Sequence, residues 1–280
     1  MKYHLLLVLA VIVFLSGCVT TKKETVSSVG ISSALTSDTK EASASMPVTF
    51  ILTIKNLASE TANDISAQLL NLTGWGVENR LQYLDVLLPS DLYKFTWIAY
   101  ASSETNKTFT PHADIFYKMK TNANLKLRVY DNAYLNSLKP EERKTIRENS
   151  ALLYSTTSKN TPIAIITSLQ QPFILTSYSQ VFPFIIEIKN VGWGSPYIDY
   201  SAYPPLENEK DFIAFQYVSN STLICDYRDG AFVKLVSGGN SIVCRLIATQ
   251  DDVNQYSDFG ANFTINYAYL GNASVEIKVT

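Results

Sequence analysis

The segment Phe50-Ile51-Leu52-Thr53-Ile54-Lys55-Asn56-Leu57 returns 134 residues later as Phe184-Ile185-Ile186-Glu187-Ile188-Lys189-Asn190-Val191. A second pair of blocks keeps the same order. Ile115, Tyr117, Ala123, Leu125, Leu127 and Val129 match Ile265, Tyr267, Ala273, Val275, Ile277 and Val279 at a spacing of 150. Two matched blocks in one order imply an internal duplication, and the growth in spacing puts about 16 extra residues inside the second copy. Apolar and other residues alternate in both blocks, the period of a strand with one buried face. Within a copy the blocks lie about 70–80 residues apart, room for about seven short strands. Gly74-Trp75-Gly76 and Gly192-Trp193-Gly194 are also identical, but their spacing of 118 fits neither match. Each is therefore read as a turn with a packed indole.

Composition narrows the class. Of 280 residues, 46% are apolar, which excludes a wholly disordered chain. Only 17% are charged and the net charge is −2, so there is no basic footprint for nucleic acid. The 17 tyrosines and 13 phenylalanines favour strands. Lys2 precedes an unbroken apolar run, Leu5–Leu15, whose eleven residues span roughly half a bilayer core. This is the hydrophobic region of an export signal rather than a membrane span. It ends in Leu15-Ser16-Gly17-Cys18, which resembles the lipobox of prokaryotic lipoproteins. That resemblance implies cleavage after residue 17, lipidation of Cys18 and an extracytoplasmic protein held at the cell membrane. An ordinary secretory signal or an uncleaved anchor is the alternative. No other run reaches 18 apolar residues.

The division that follows is a signal peptide at 1–17, a lipidated cysteine and polar tether at 18–45 with a candidate first strand at 26–35, one β-unit at 46–135, a linker at 136–161 and a second β-unit at 162–280. The linker holds a helix pattern from Leu138 to Glu148, with Pro140 at its start, acids beside the positive end of the dipole and charge nearly all round. Ile54-Lys55-Asn56, Thr61–Leu69 and Leu88-Pro89-Ser90-Asp91 leading into Tyr93–Ala99 resemble the strands and turns of immunoglobulin-like CARDB-type domains. Leu57-Ala58 departs from the family's glycine turn, whereas the second copy has Asn190-Val191-Gly192. The likeness covers about residues 46–131 and 162–280, and it extends to multi-domain surface proteins of archaea. It implies an all-β chain of two tandem immunoglobulin-like sandwiches used for adhesion, spacing or assembly.

Cys225 and Cys244 lie in strand-like segments of an exported chain and most simply form a disulfide; reduced core thiols or a redox pair are the alternatives. Asn71, Asn106, Asn220, Asn262 and Asn272 open N-glycosylation sequons. Chemistry is harder to find. His112 is the only histidine after the signal, and no serine-nucleophile elbow or phosphate loop accompanies it. Asp226, Asp229, Asp251 and Asp252 read as turn acids, and Asp226–Gly230 lacks the alternating ligands of a calcium loop. No metal site and no cofactor are expected, and the chain is read as non-enzymatic. Its expected partners are the membrane, through the lipid, and a protein or glycan of the envelope. Trp193, Tyr197, Tyr200 and Tyr203 crowd the larger second copy and form a candidate binding face, with the extra residues expected between Tyr197 and Gly239. A carbohydrate-binding module using that face is the second reading.

Overall fold

The computed structural model describes residues 29–169, 171–218 and 222–280. The signal, Cys18, the first part of the tether and Asn220 lie outside the described residues. The first half of the chain forms β1 (Ile31–Ser37), β2 (Glu41–Ala42), β3 (Pro47–Asn56), β4 (Ala62–Leu70), β5 (Gly76–Val77), β6 (Leu81–Leu87), β7 (Leu92–Tyr100), β8 (Lys107–Phe109) and the long β9 (His112–Asp131). Helices α1 (Asn132–Ser137) and α2 (Pro140–Glu148) follow. The second half forms β10 (Leu152–Thr157), β11 (Ile163–Thr167), β12 (Phe173–Leu175), β13 (Ser179–Asn190), β14 (Ser195–Tyr197), β15 (Phe212–Tyr217), β16 (Leu223–Cys225), β17 (Ala231–Lys234), β18 (Gly239–Thr249), β19 (Tyr256–Ser274) and β20 (Ile277–Val279).

The helix pattern becomes α2, with Pro140 in its first turn and no buried residue. Nearly everything else described is strand or turn, so the chain is all-β. Two four-stranded sheets repeat one order: β1-β3-β7-β5, then β11-β13-β18-β16. Their registers coincide, because Ile31 faces Asn56 as Ile163 faces Asn190, and Phe50 faces Trp97 as Phe184 faces Cys244. The position held by an indole in the first half holds a cystine in the second.

The halves meet in a nine-stranded sheet through β9 and β19, which pair antiparallel from His112↔Ser274 to Tyr130↔Tyr256. Since the sequence repeat matches Tyr117 with Tyr267, it also matches Lys118 with Ala268, and these two face each other across the ladder. The local twofold axis of the duplication therefore passes through that pair. Each long strand serves both halves. The near part of β9 pairs with β4, and beyond the axis its Thr121 hydroxyl donates to Ile163 O of β11 (2.8 Å) while Leu127 and Val129 face β10 and β12. Reciprocally, the chain end crosses to the first half, where Ile277 faces Phe109 of β8 and Val279 faces Ala42 of β2.

Odd-numbered residues of both long strands point to one side. There Tyr117, Leu125, Phe263 and Tyr267 join Phe50 and Trp97 of one small sheet and Phe184 and Ile186 of the other in a single contiguous core. Burial pushes the Tyr117 and Tyr267 hydroxyls far above their ordinary range, and that of Tyr269 up to about 12. The expected pair of self-contained sandwiches spaced by a linker thus takes a different form. The halves share a sheet and a core, and β10, inside the expected linker, is one of the sheet's strands. The reason is physical: each half, ended at its own sequence boundary, would expose part of its apolar floor.

Cys225 and Cys244 are bonded, as expected, between directly facing residues of β16 and β18 with Cα atoms 4.0 Å apart. For a loop of this size the chain-entropy contribution is about 3 kcal/mol. The two Gly-Trp-Gly turns do different work. Trp75 is buried between Phe50 and Phe109, after Gly74 at φ +78°. Trp193 is 39% exposed and lies over Gly271, while a Cβ on Gly194 would stand 2.1 Å from the Leu270 carbonyl oxygen.

Because the halves complete one another, residues 19–149 and 150–280 produced separately should each lack a cooperative thermal transition. Mixed, they should recover it. The check is near-ultraviolet circular dichroism during heating, and a sharp transition from either piece alone would contradict the shared core.

Candidate binding site

The site begins with a comparison of β4 and its counterpart. β4 follows β9 from Leu70↔His112 to Asn63↔Lys118, with a bulge between Asn63 and Ser66 at which Asp64 takes φ +51°. In the second half the same row is made by two strands, β14 against Leu270–Ala268 and β15 against Asn266–Phe263. Between them the chain makes a detour, Ile198–Asp211, closed by the Tyr197↔Lys210 bridge and the Asp211 N to Pro196 O hydrogen bond (2.8 Å). This insert supplies nearly all of the extra length. It lies inside the region expected from the sequence and stands where the first half has only a bulge.

Because Lys118↔Ala268 marks the axis, the insert leaves the second half beside the bulge of the first. It folds across the outward face of the ribbon and buries Phe116 and Ala268 there with Tyr197, while Tyr203 packs half-buried against them. Its Ser201 hydroxyl donates to Glu209 Oε2 (2.8 Å), which holds the loop to itself. The Tyr203 hydroxyl donates to Gln68 Oε1 (2.7 Å) on β4 and lies 3.3 Å from Asp114 Oδ2 on β9.

A cleft of about 360 Å³ is left between insert and bulge. Phe116 is part of its lining; Tyr203, Ala202 and Ser201 come from the insert; Asp64, Ser66, Tyr83 and Asp85 come from β4 and β6. Lys118 reaches Asp64 at 3.0 Å and spends its charge there. Tyr83 is 67% exposed, an aromatic ring open to a ligand. Carboxylates at the lining and aromatic rings from both sides suit a ligand rich in hydroxyl or ammonium donors with an apolar face. Behind Tyr203, burial raises the Asp114 carboxyl above its usual range, opposed by His112 nearby and by the Tyr203 hydroxyl.

No family model matches the sequence, and no curated protein does. A solved structure to which the chain is similar is the secreted serine protease VesC from Vibrio cholerae, at 9% identity and a TM-score of 0.22, covering 88% of this chain and 52% of that one. The chain thus spans about half of that protein's length, and likeness at this level carries no argument about fold or activity.

The four aromatic residues expected to share a face do not. Tyr197 is buried against Phe116, Tyr203 lines the cleft, Tyr200 is exposed beside Phe232, and Trp193 sits on Gly271 near β1. The cystine clips β16 to β18 and does not restrain the insert. Asn71, Asn106, Asn262 and Asn272 are exposed. Among the turn acids, Asp226 pairs with Arg245 (2.6 Å), Asp229 accepts from Tyr217 N (2.9 Å) and Asp252 from Thr249 N (3.1 Å). Sequence reasoning missed Tyr83, Asp85 and Phe116, which lie in the other half; only the even-numbered aromatic at Phe116, out of phase with its strand, hinted at a cover on the outward face.

The raised Asp114 carboxyl has a signed consequence. Its neutral form is favoured on folding, so the stability it confers is present at acid pH and is lost as the pH rises above about 4 through the folded value. Asp114→Asn, which keeps an acceptor for Tyr203, should leave Tm unchanged at acid pH and raise it at neutral pH. Tyr203→Phe should cost about 1 kcal/mol. Thermal melts across pH check both, and a neutral-pH Tm lowered by Asp114→Asn would refute the assignment.

Proposed function

We propose that this chain is an exported, membrane-tethered, non-enzymatic binding protein of the cell envelope. Its two halves are immunoglobulin-like, CARDB-type sandwiches fused side by side, and the cleft under the insert holds a partner. The observation that carries this reading is the insert. Material added to only one of two equivalent copies, folded back to build a concave surface on the other, is how a binding site is placed on a β scaffold. The lipobox supports the anchorage, and the cystine fits an oxidising compartment.

A second reading concerns what is bound. Tyr83 and Tyr203 flank carboxylates, a combination that stacks on a pyranose face and accepts from its hydroxyls, so a glycan is favoured over a flat protein epitope.

The test is capture from solubilised envelopes and on a glycan array with the full anchored protein. Tyr83→Ala, at an exposed position, should leave Tm unchanged and weaken capture at least about tenfold, the loss expected of an aromatic contact worth at least about 1.4 kcal/mol. Cys18→Ser should release the protein from the membrane fraction or leave an uncleaved precursor. Undiminished capture by Tyr83→Ala would remove the cleft from the function, and wild-type fractionation of Cys18→Ser would remove the lipid.

A further inference from the structure

The cleft beneath the insert does not end at Lys118. That residue also lines a second hollow of about 420 Å³, to which Glu60 and Asn63 come from the start of β4, Lys120 from β9, Asn266 from β19 and Asp199 from the insert. The two hollows share one floor. Phe116, Lys118 and Lys120 are successive outward residues of β9, so at about 3.3 Å per residue the floor runs about 13 Å. The insert flanks it throughout, with Tyr203 and Ser201 at the first hollow and Asp199 at the second. One end is stopped. Over Asp114, the outward residue before Phe116, the Tyr203 hydroxyl donates to Gln68 Oε1 on the facing strand (2.7 Å) and ties the insert down across the ribbon. The other end, at Lys120 and Asn63, is exposed.

The chemistry of the floor and walls narrows the ligand. At Phe116 and Lys118 the strand is paired on both sides, with β4 and with β19, so a ligand meets side chains rather than a free strand edge. The first hollow offers aromatic rings. The second offers carboxylates, amides and an ammonium, several held in place by neighbours. Glu60 Oε1 accepts from the Ser158 hydroxyl (2.6 Å) and from Asn122 Nδ2 (3.1 Å), and Asn266 Nδ2 donates to Gln216 Oε1 (3.0 Å). Such a mixture of donors and acceptors matches sugar hydroxyls, each of which both donates and accepts. Charge sets the class. Asp64, Asp85, Glu60 and Asp199 stand against Lys118 and Lys120, so the groove is net negative and repels uronates and phosphates.

We propose that the cleft is the stopped end of a longer groove that takes a linear glycan without acidic groups, its terminal ring between Tyr83 and Tyr203 and the following units laid over Lys118 toward Lys120 and Asn266. The inference rests on the binding reading of the cleft and adds to it the length, direction and charge of the ligand. A single sugar occupies the first hollow alone; only a chain of several units reaches Lys120 and Asn266.

The test is calorimetric titration of the full chain with chitin, cellulose and starch oligomers of one to six units, and with oligogalacturonates as the acidic comparison. A neutral series should gain affinity at least about tenfold between one unit and four and then level off. The acidic oligomers should bind more weakly than that series at equal length. Lys120→Ala and Asn266→Ala, both on the outward face, should remove the gain while leaving Tm and the affinity for the single sugar unchanged. Tyr83→Ala should weaken binding at every length. Equal affinity at all lengths, or a gain that survives both substitutions, overturns the groove and leaves the cleft standing. Tighter binding of the oligogalacturonates overturns the ligand class. If no series binds while Tyr83→Ala still weakens capture from envelopes, the glycan is wrong and the cleft stands; if that capture is also undiminished, both fall.

Discussion

Everything in this molecule hangs on one antiparallel ladder. The pairing of β9 with β19, from His112↔Ser274 to Tyr130↔Tyr256, is longer than either half needs for its own sheet. Its length turns two similar halves into one body, since each strand runs past the local axis and supplies the floor of the other half. The buried tyrosines at the centre, Tyr117, Tyr267 and Tyr269, show how the middle of the ladder is kept dry while its polar groups are satisfied. Ile31 N donates to the Tyr117 hydroxyl (3.4 Å), and Gly194 N donates to that of Tyr269 (2.8 Å).

The strands were legible because burial on one face leaves a period of two, and that period survives in Phe50–Leu57, Phe184–Val191 and the runs ending at Val129 and Val279. The duplication was legible for the same reason. The join was not. Periodicity reports which face of a strand is covered, but it is silent on which chain segment lies beside it, and from Lys118 to Arg128 the outward residues of β9 are ordinary Lys, Asn and Arg. Residues 123–129 look like the end of a first domain in sequence, yet they finish the core of the second.

The site was half legible. Extra residues after Tyr197 pointed to Tyr203, but its companions Tyr83, Asp85 and Phe116 come from the other half and are brought near only by the twofold pairing. The aromatic count near Trp193 misled for a simple reason: rings close in sequence can point to opposite sides of a strand or leave it altogether. Tyr197 ends a strand, Tyr200 leans on Phe232, and Trp193 fills the space above a glycine on the neighbouring strand.

The last strand, β20, lies between β8 and β2, with Ile277 and Val279 fully buried and the Thr280 N–H donating to Ala42 O (2.9 Å). The first half is therefore sealed by a strand that follows the whole of the second half in sequence. A nascent chain that has already produced β1 to β9 still lacks the strand that closes them, and its apolar floor stays incomplete until the second half has been made. Contacts this far apart in sequence form late, so the order of synthesis delays the closed fold and leaves the β8 and β2 edges waiting for a partner that only the distant β20 supplies.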